Sequence, residues 1–311
     1  MSCGRMALEI LDIPTTKYYS SEIDKYANQA AQALFPDTIQ LGDILNWREW
    51  VIDWSSIDLV TGGFPCQAWS MAGKQLGDKD ERGMLFWVML DIMKHVKYHN
   101  PKADFLIENV KMKKEFEQYI TTHTENALGH VHKILINSAL VSAQNRNRYY
   151  WTSFEVEQPE DKRILLTDVI ENGVVDQQKS YCIDANYYKG GNLKSYFEKH
   201  RRQLVFTVDI AARASVQKNA EHTYKGNVPM LTDMETAAKF KGMYIDKDDR
   251  LHYRKLTPRE CFRLQTVPDH HIDTLLNAGI SNTQLYKMCG NGWTVDVIVH
   301  LLKSLKQGLC I

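Results

Sequence analysis

A cysteine in a glycine-rich segment is the residue of this 311-residue chain that is best placed to do chemistry. Cys66 follows Gly62, Gly63 and Pro65 soon after the apolar run 57–60. Ligands of open α/β sheets bind at the carboxyl ends of strands. A cysteine held there is placed to act as a nucleophile when nearby backbone N–H groups favour its thiolate. For a cysteine taken alone, an inert, packed loop residue is the more common case.

Charged residues at two further places in the sequence favour the interpretation of Cys66 as a nucleophile. Glu108 follows the apolar run 105–107, so we expect its carboxylate at the same sheet edge as Cys66. Arg146 and Arg148 alternate in the segment 144–148, and alternate residues of a strand point to one face. A solvated glutamate and a surface charge pair are the alternatives when each motif stands alone.

The elements that must position these residues follow an α/β pattern. Short apolar runs at 17–20, 38–41, 57–60 and 105–107 alternate with helical patterns, which predicts a βαβ series with a parallel sheet. Residues 84–96 carry apolar side chains on one helix face, so a helix is predicted to pack on that sheet. The segment 153–250 has Asn-Gly and Gly-Gly breaks and no long period, which indicates a separate small domain.

Regular structure is predicted to return near the C-terminus. Thr257, Pro258 and Glu260 supply an N-cap, a proline at the first helical position and a capping-box carboxylate, so a helix should begin there. The apolar residues of 295–305 have a helical period. We expect that last helix to return to the first domain.

Composition limits the class of protein. The six cysteines have no C-x-x-C spacing, which argues against a disulfide framework and against a metal site. No apolar run approaches the about 20 residues that cross a bilayer. We therefore expect a cytoplasmic protein with no membrane partner. Because the formal net charge is zero, a polyanion would have to be met by a local basic patch.

Five motifs together resemble the DNA (cytosine-5)-methyltransferase family of prokaryotic or phage type. In family order, and at the family's spacing, the chain carries Pro65-Cys66-Gln67, Glu108-Asn109-Val110, Gln144-x-Arg146-x-Arg148, Arg254 to Glu260 continuing through Arg263-Leu264-Gln265 to Pro268-Asp269, and Gln284 to Lys287 followed by Gly290-Asn291-Gly292. The resemblance covers nearly the whole chain and is weakest over 153–250.

The resemblance implies a Rossmann-like S-adenosylmethionine-dependent methyltransferase sheet with a smaller target-recognition domain. Residues 1–152 would form the catalytic and cofactor-binding domain, 153–253 the target-recognition domain, and 254–311 the C-terminal motifs. The implied reaction transfers a methyl group to C5 of a flipped-out cytosine in duplex DNA. Cys66 would add to C6, Glu108 would hydrogen-bond N3 and the exocyclic amine, and Arg146 and Arg148 would steady the O2 side and the active-site loop.

The same resemblance assigns the cofactor and DNA contacts. Glu22 would bind the ribose of S-adenosylmethionine, Ile23 would pack on adenine, and Asp43 would contact the adenine amine, while Pro65, Leu85 and Asn291 line the rest. The DNA contacts are assigned to Gln67, Ser70, Lys199, Arg201 and Arg202, and 68–82 matches the family's mobile catalytic loop. We expect double-stranded DNA and a cognate restriction endonuclease as partners, with the protein acting as a monomer on DNA.

One departure from the family pattern and two rival functions stay open. The chain begins at Met1, before which the family has a strand ending in Phe-x-Gly, so we expect either a start inside a longer gene or a truncated copy that binds the cofactor weakly. A transfer-RNA cytosine-5 methyltransferase shares the motifs, although about a hundred residues between Arg148 and Arg254 favour DNA. The second rival is a DNA-binding remnant with weak catalysis.

Overall fold

The apolar runs of the first half form strands. The computed structural model describes residues 1–65, 83–206, 222–225 and 250–308. Strands β1 (Tyr19–Ser20) and β2 (Ile39–Gln40) pair in parallel, as do β3 (Leu59–Gly63) and β4 (Asp104–Val110). Both β3 and β4 run further than the apolar runs predicted. Glu108 therefore lies inside β4 and not beyond its end.

The predicted parallel pairing is confirmed for these four strands, but two further strands add antiparallel pairs that were not predicted. Strands β5 (His132–Asn137) and β6 (Asn147–Thr152) are antiparallel to each other, and β6 is antiparallel to β4. The strand order is β3-β4-β6-β5, and β1 with β2 forms a separate two-stranded sheet. Parallel neighbours need a long crossover, usually through a helix. The connection from β5 to β6 contains only a short 3-10 turn at Ser138–Leu140, which suits an antiparallel pair.

Helices connect and cover these strands. They are α1 (Cys3–Ile10), α2 (Lys25–Leu34), α3 (Met84–His99) and α4 (Lys114–Leu128). The helix predicted over 84–96 is confirmed as α3, and its apolar face joins the core that surrounds β4. The fully buried Trp151 belongs to the same core, and its indole N–H donates to Thr121 Oγ1 over 2.8 Å. The helix face and the strand therefore share one apolar core.

The chain divides into two units that do not follow the sequence order. The first unit comprises Ser2–Ser138, Asn147–Glu160 and Val297–Ile311. The second unit comprises Ala139–Arg146 and Asp161–Asp296, together with Met1. The functional domains expected at 1–152, 153–253 and 254–311 stay a prediction. No helix among the described residues is both long and apolar enough to span a membrane.

The second unit contains a small antiparallel sheet of order β7-β9-β8. Its described elements are α5 (Leu193–Phe197), β7 (Leu204–Phe206), β8 (His222–Lys225), β9 (Arg250–Lys255), α6 (Pro258–Leu264), α7 (Asp269–Asn277) and α8 (Asn282–Asn291). The last helix, α9, is Val295–Gly308, and from Val297 onwards it belongs to the first unit. Short strands and 3-10 turns over most of this region agree with the absence of a long period in the sequence.

A buried ion pair joins β9 to α6. The predicted capping box is confirmed, because Thr257 Oγ1 accepts from Glu260 N and the Glu260 carboxylate accepts from Thr257 N over 2.7 Å. The same carboxylate receives two hydrogen bonds of 2.7 Å from the Arg254 guanidinium. Arg254 also donates to Asn172 O over 2.6 Å. Removing one partner of such a hydrogen-bonded buried pair is strongly destabilising, because it leaves the other charge buried without a counter-charge.

We predict that Glu260→Gln lowers the free energy of unfolding by about 3–5 kcal/mol, because it leaves the Arg254 guanidinium buried beside a neutral amide. The matched control is Asp269→Asn, which breaks the exposed Arg263–Asp269 pair. An exposed pair contributes only about 0–1 kcal/mol. Urea denaturation of both variants measures the difference, and equal losses would contradict the assignment of the buried pair.

Candidate active site

The carboxyl ends of β3 and β4 lie side by side. In the parallel register Gly63 stands opposite Glu108, so the chain leaves β3 beside the Glu108 position. A side chain at Gly62 would meet Met89 of α3, since a Cβ there would lie 2.9 Å from the Met89 sulfur. The missing side chain thus lets β3 approach α3 closely. This packing places the segment that leads to Cys66.

Asn109 ties the two strand ends together. The side chain is 1% exposed, and its Nδ2 donates to Phe64 O over 3.2 Å. Its Oδ1 accepts from Val110 N over 2.7 Å. The ring of Phe64 in turn packs on Phe86 with centroids 4.9 Å apart. Asn109 therefore orients the chain just before Pro65, a role that we did not predict although Glu-Asn-Val marked the residue.

Glu108 is oriented by an arginine from the neighbouring strand. Arg148 Nε lies 2.9 Å from Glu108 Oε1, and both side chains are largely buried, at 14% and 12% exposure. The antiparallel register pairs Arg148 with Val110, which puts Arg148 diagonally across from Glu108. Arg148 Nη1 also donates to Asn147 O over 2.9 Å. A charge-assisted bond of this kind fixes the direction of the carboxyl group.

The two arginines of the motif do not share a strand face. Strand β6 begins at Asn147, so Arg148 lies in it whereas Arg146 precedes it and belongs to the second unit. The prediction that both point to one face of a strand is wrong, because the alternation rule applies only within a strand. Arg146 is 3% exposed and donates to main-chain carbonyl groups of its own unit, among them that of Ile183.

Two carboxylates follow the parallel strands β1 and β2. Glu22 comes two residues after β1, and its Oε1 accepts from Ile23 N over 2.8 Å and from Asp24 N over 2.9 Å. Asp43 comes three residues after β2, and its Oδ1 accepts from Leu45 N over 2.9 Å. Carboxyl ends of parallel strands meet at one edge. Ile23, at 76% exposure, presents a large apolar side chain beside the Glu22 carboxylate.

The other predicted cofactor residues lie in different elements. Pro65 is half-buried just after β3, and Leu85 is half-buried in the first turn of α3. Asn291 is exposed and is the last residue of α8 in the second unit. Pro65 and Leu85 thus belong to the first unit, whereas Asn291 belongs to the second.

Several predicted residues fall on the loop after β3. Cys66, Gln67 and Ser70, with the segment 68–82 expected to close over DNA, lie outside the described residues. Their assigned roles stay predictions. The described residues on either side are Gly63 to Pro65 at the end of β3 and the start of α3 at Met84.

The predicted basic contacts lie in the turn between α5 and β7. Lys199 and Arg201 are exposed and Arg202 is half-buried. His200 and Arg202 have φ of 48° and 61°, in the left-handed region that non-glycine residues seldom adopt. Arg201 Nη2 lies 3.5 Å from Asp184 Oδ2. The turn therefore holds a tight backbone with basic side chains on its surface.

Comparison with known proteins identifies relatives of the whole chain. The profile of the family described as C-5 cytosine-specific DNA methylase matches residues 2–307. Type II methyltransferase M1.ScrFI of Lactococcus lactis subsp. cremoris is 30% identical over 94% of this chain and 72% of its own length. Type II methyltransferase M.HpaII of Haemophilus parainfluenzae is 30% identical over 94% of this chain and 83% of its own.

Solved structures agree on the fold. Dnmt2 methyltransferase of S. pombe superimposes with a TM-score of 0.61 at 16% identity, covering 99% of this chain and 96% of its own. DNMT2 of Spodoptera frugiperda gives 0.59 at 18% identity, covering 98% and 96%. At these identities the likeness concerns the Rossmann-like methyltransferase fold, which confirms the predicted fold class.

Proposed function

Because the chain belongs to the C-5 cytosine-specific DNA methylase family, we propose that it methylates cytosine C5 in duplex DNA through a covalent bond between Cys66 and the base. The family's general reaction is methyl transfer from S-adenosylmethionine to cytosine in DNA. The observation that carries the covalent proposal is the Glu108–Arg148 ion pair, 2.9 Å long, on the strand beside the one that leads to Cys66. It supports the proposal because it holds an oriented carboxyl group beside the end of β3.

The proposed reaction begins with addition to the base. The Cys66 thiolate forms a bond to C6, and the electron pair of the C5–C6 double bond moves into the ring, so that C5 becomes nucleophilic. C5 would then take the methyl group from the sulfonium, which leaves S-adenosylhomocysteine. A base would remove the C5 proton, and that electron pair would re-form the C5–C6 double bond as the C6–sulfur bond breaks to return the thiolate. Cys261 does not suit this role, because burial raises the pKa of its thiol well above the ordinary value.

Glu108 and Arg148 act on the charge that addition creates. As electron density collects at N3, Glu108 hydrogen-bonds N3 and the exocyclic amine and stabilises the developing charge. Arg148 holds the carboxyl group in position through its Nε. The pair is already in place in the free protein, so it needs no reorganisation at the moment of reaction.

The residues after β1 and β2 fit S-adenosylmethionine. Ribose hydroxyl groups suit the Glu22 carboxylate, whose Oε1 is held by two backbone N–H groups, and adenine suits the exposed Ile23 side chain. Asp43 would accept from the adenine amine. Pro65 and Leu85 would line the path toward Cys66, and Asn291 would complete the contacts. When bound, the cofactor supplies an electrophilic methyl group on its sulfonium.

Duplex DNA requires further groups, because a stacked base is out of reach until it is flipped out at a cost of a few kcal/mol. We assign phosphate contacts to Ser70, Lys199, Arg201 and Arg202, and a further DNA contact to Gln67. The exposed basic turn after α5 supports this assignment. Since the relatives are named Type II methyltransferases, we further propose that a cognate restriction endonuclease accompanies the protein, which acts as a monomer on DNA.

We predict that Cys66 becomes covalently trapped on duplex DNA containing 5-fluorocytosine in the presence of S-adenosylmethionine. Fluorine at C5 cannot leave as a proton does, so elimination of the thiolate is blocked. Denaturing gel electrophoresis detects the adduct. Cys66→Ala should abolish it, and the control Cys3→Ala should retain it. An adduct of equal yield from Cys66→Ala would assign the nucleophile to another residue.

We predict that Glu108→Gln lowers the turnover number about 10²- to 10³-fold, or about 3–4 kcal/mol, because the lost interaction strengthens as charge develops on the base. The dissociation constant for DNA should change little. Glu117→Gln is the matched control, since Glu117 is also a buried glutamate paired with a cation, Lys133. Steady-state kinetics and filter binding measure both, and an unchanged turnover number in Glu108→Gln would remove Glu108 from the mechanism.

A further inference from the structure

Arg146 binds the end of a helix in its own unit. Its Nη2 donates to Gly290 O over 3.0 Å and to Gly292 O over 2.9 Å. Its Nη1 donates to Ile183 O over 3.0 Å and lies 3.4 Å from Cys182 Sγ. One guanidinium therefore connects two separate backbone segments of the second unit.

The two carbonyl groups on Nη2 flank Asn291. Helix α8 ends at Asn291, and Gly292 N closes its last turn by donating to Met288 O over 2.8 Å. The last carbonyl groups of a helix lack partners within it and carry the negative end of its dipole. A buried guanidinium at this position satisfies and neutralises them. Asn291 itself stays exposed, so its main chain is held while its side chain faces outward.

Neighbouring amides reinforce this cap. Gln265 Nε2 donates to Cys289 O over 2.6 Å, and Gln265 Oε1 accepts from Thr294 Oγ1 over 2.9 Å. Gln144 Oε1 accepts from Ile183 N over 2.8 Å. Both glutamine side chains are fully buried. Gln265 thus holds the backbone on both sides of Asn291, and Gln144 holds the Ile183 segment that Arg146 also contacts.

Backbone packing leaves this helix end no room to move toward its neighbour. A Cβ added at Gly290 would lie 2.2 Å from Ala185 N and 2.4 Å from Asp184 O. The Gly290 main chain therefore rests directly on the Asp184–Ala185 peptide. Arg146 draws the same helix end toward Ile183, just before that peptide.

We propose that Arg146 is a positioning residue that fixes the exposed Asn291 for contact with S-adenosylmethionine, and that it does not touch the reacting base. This inference rests on the proposed function, since it takes Asn291 as a cofactor contact. Of the two arginines, only Arg148 then holds Glu108. Arg148 acts at the base, and Arg146 acts at the cofactor.

Calorimetry with S-adenosylhomocysteine tests the proposal without turnover. Arg146→Met should weaken its binding about tenfold or more, the loss of one good charge-assisted interaction. DNA affinity without cofactor should stay within about threefold. Lys179→Met is the matched control, because Lys179 also donates to three main-chain carbonyl groups of this unit, those of Ala139, Ser142 and Ile164. It should leave the cofactor affinity unchanged.

A double-mutant cycle decides whether Arg146 acts through Asn291. Asn291→Ala alone should lower the affinity for S-adenosylhomocysteine. Adding Arg146→Met to that variant should then lower the affinity little further. If the affinity loss of the double variant equalled the product of the two single losses, the proposal would be overturned. An unchanged affinity in Arg146→Met with a lowered turnover number would overturn it too, and would place Arg146 at the base.

Hydrogen exchange covers the case in which Arg146→Met does not fold. Arg146→Lys keeps the charge but not the two-pronged donor, so amides of 288–294 should exchange faster than in the parent while the rest of the second unit is unaffected. Unchanged exchange there would contradict the cap. If the parent protein binds S-adenosylhomocysteine but methylates no DNA, the proposed function fails. The role of Arg146 in holding the end of α8 is still tested by the calorimetry and the hydrogen exchange.

Discussion

The parallel pairing of β3 with β4 is the constraint on which the candidate active site depends. Its register places Gly63 beside Glu108, and Asn109 then holds Phe64 O, so the chain enters the Cys66 loop from a defined direction. A slip of β3 by one residue would turn its side chains to the opposite face of the sheet and would move Gly63 away from its place beside Glu108. The close contact of Gly62 with Met89 resists such a slip, because it locks β3 against α3.

The second unit combines buried apolar side chains with buried cations. Arg254 fastens β9 to α6 through Glu260, and Arg146 fastens the end of α8 to Ile183. Both guanidinium groups donate several directed hydrogen bonds, which fix orientation as well as distance. Apolar contacts are less directional. A region of short strands and 3-10 turns can therefore present residues such as Asn291 at fixed positions without long regular elements.

Local signals in the sequence predicted local structure well. The capping box at Thr257, the apolar face of α3 and the helical period of α9 each depend on residues a few positions apart, and each is confirmed. The antiparallel pairing of β6 was not predicted, because β6 takes its partners from residues distant in sequence. The role of Arg146 was missed for a related reason. Arg146 and Arg148 are two residues apart, but this spacing does not put them on one face because strand β6 begins between them.

The central claim is that the protein transfers a methyl group to C5 of cytosine in duplex DNA. The most direct test incubates the protein with S-adenosylmethionine labelled in its methyl group and with either duplex DNA or transfer RNA, followed by mass spectrometry of the released nucleosides. We expect labelled 5-methyldeoxycytidine from DNA and no label in the transfer RNA. Label in transfer RNA alone, or on an exocyclic amine of DNA in place of C5, would contradict it.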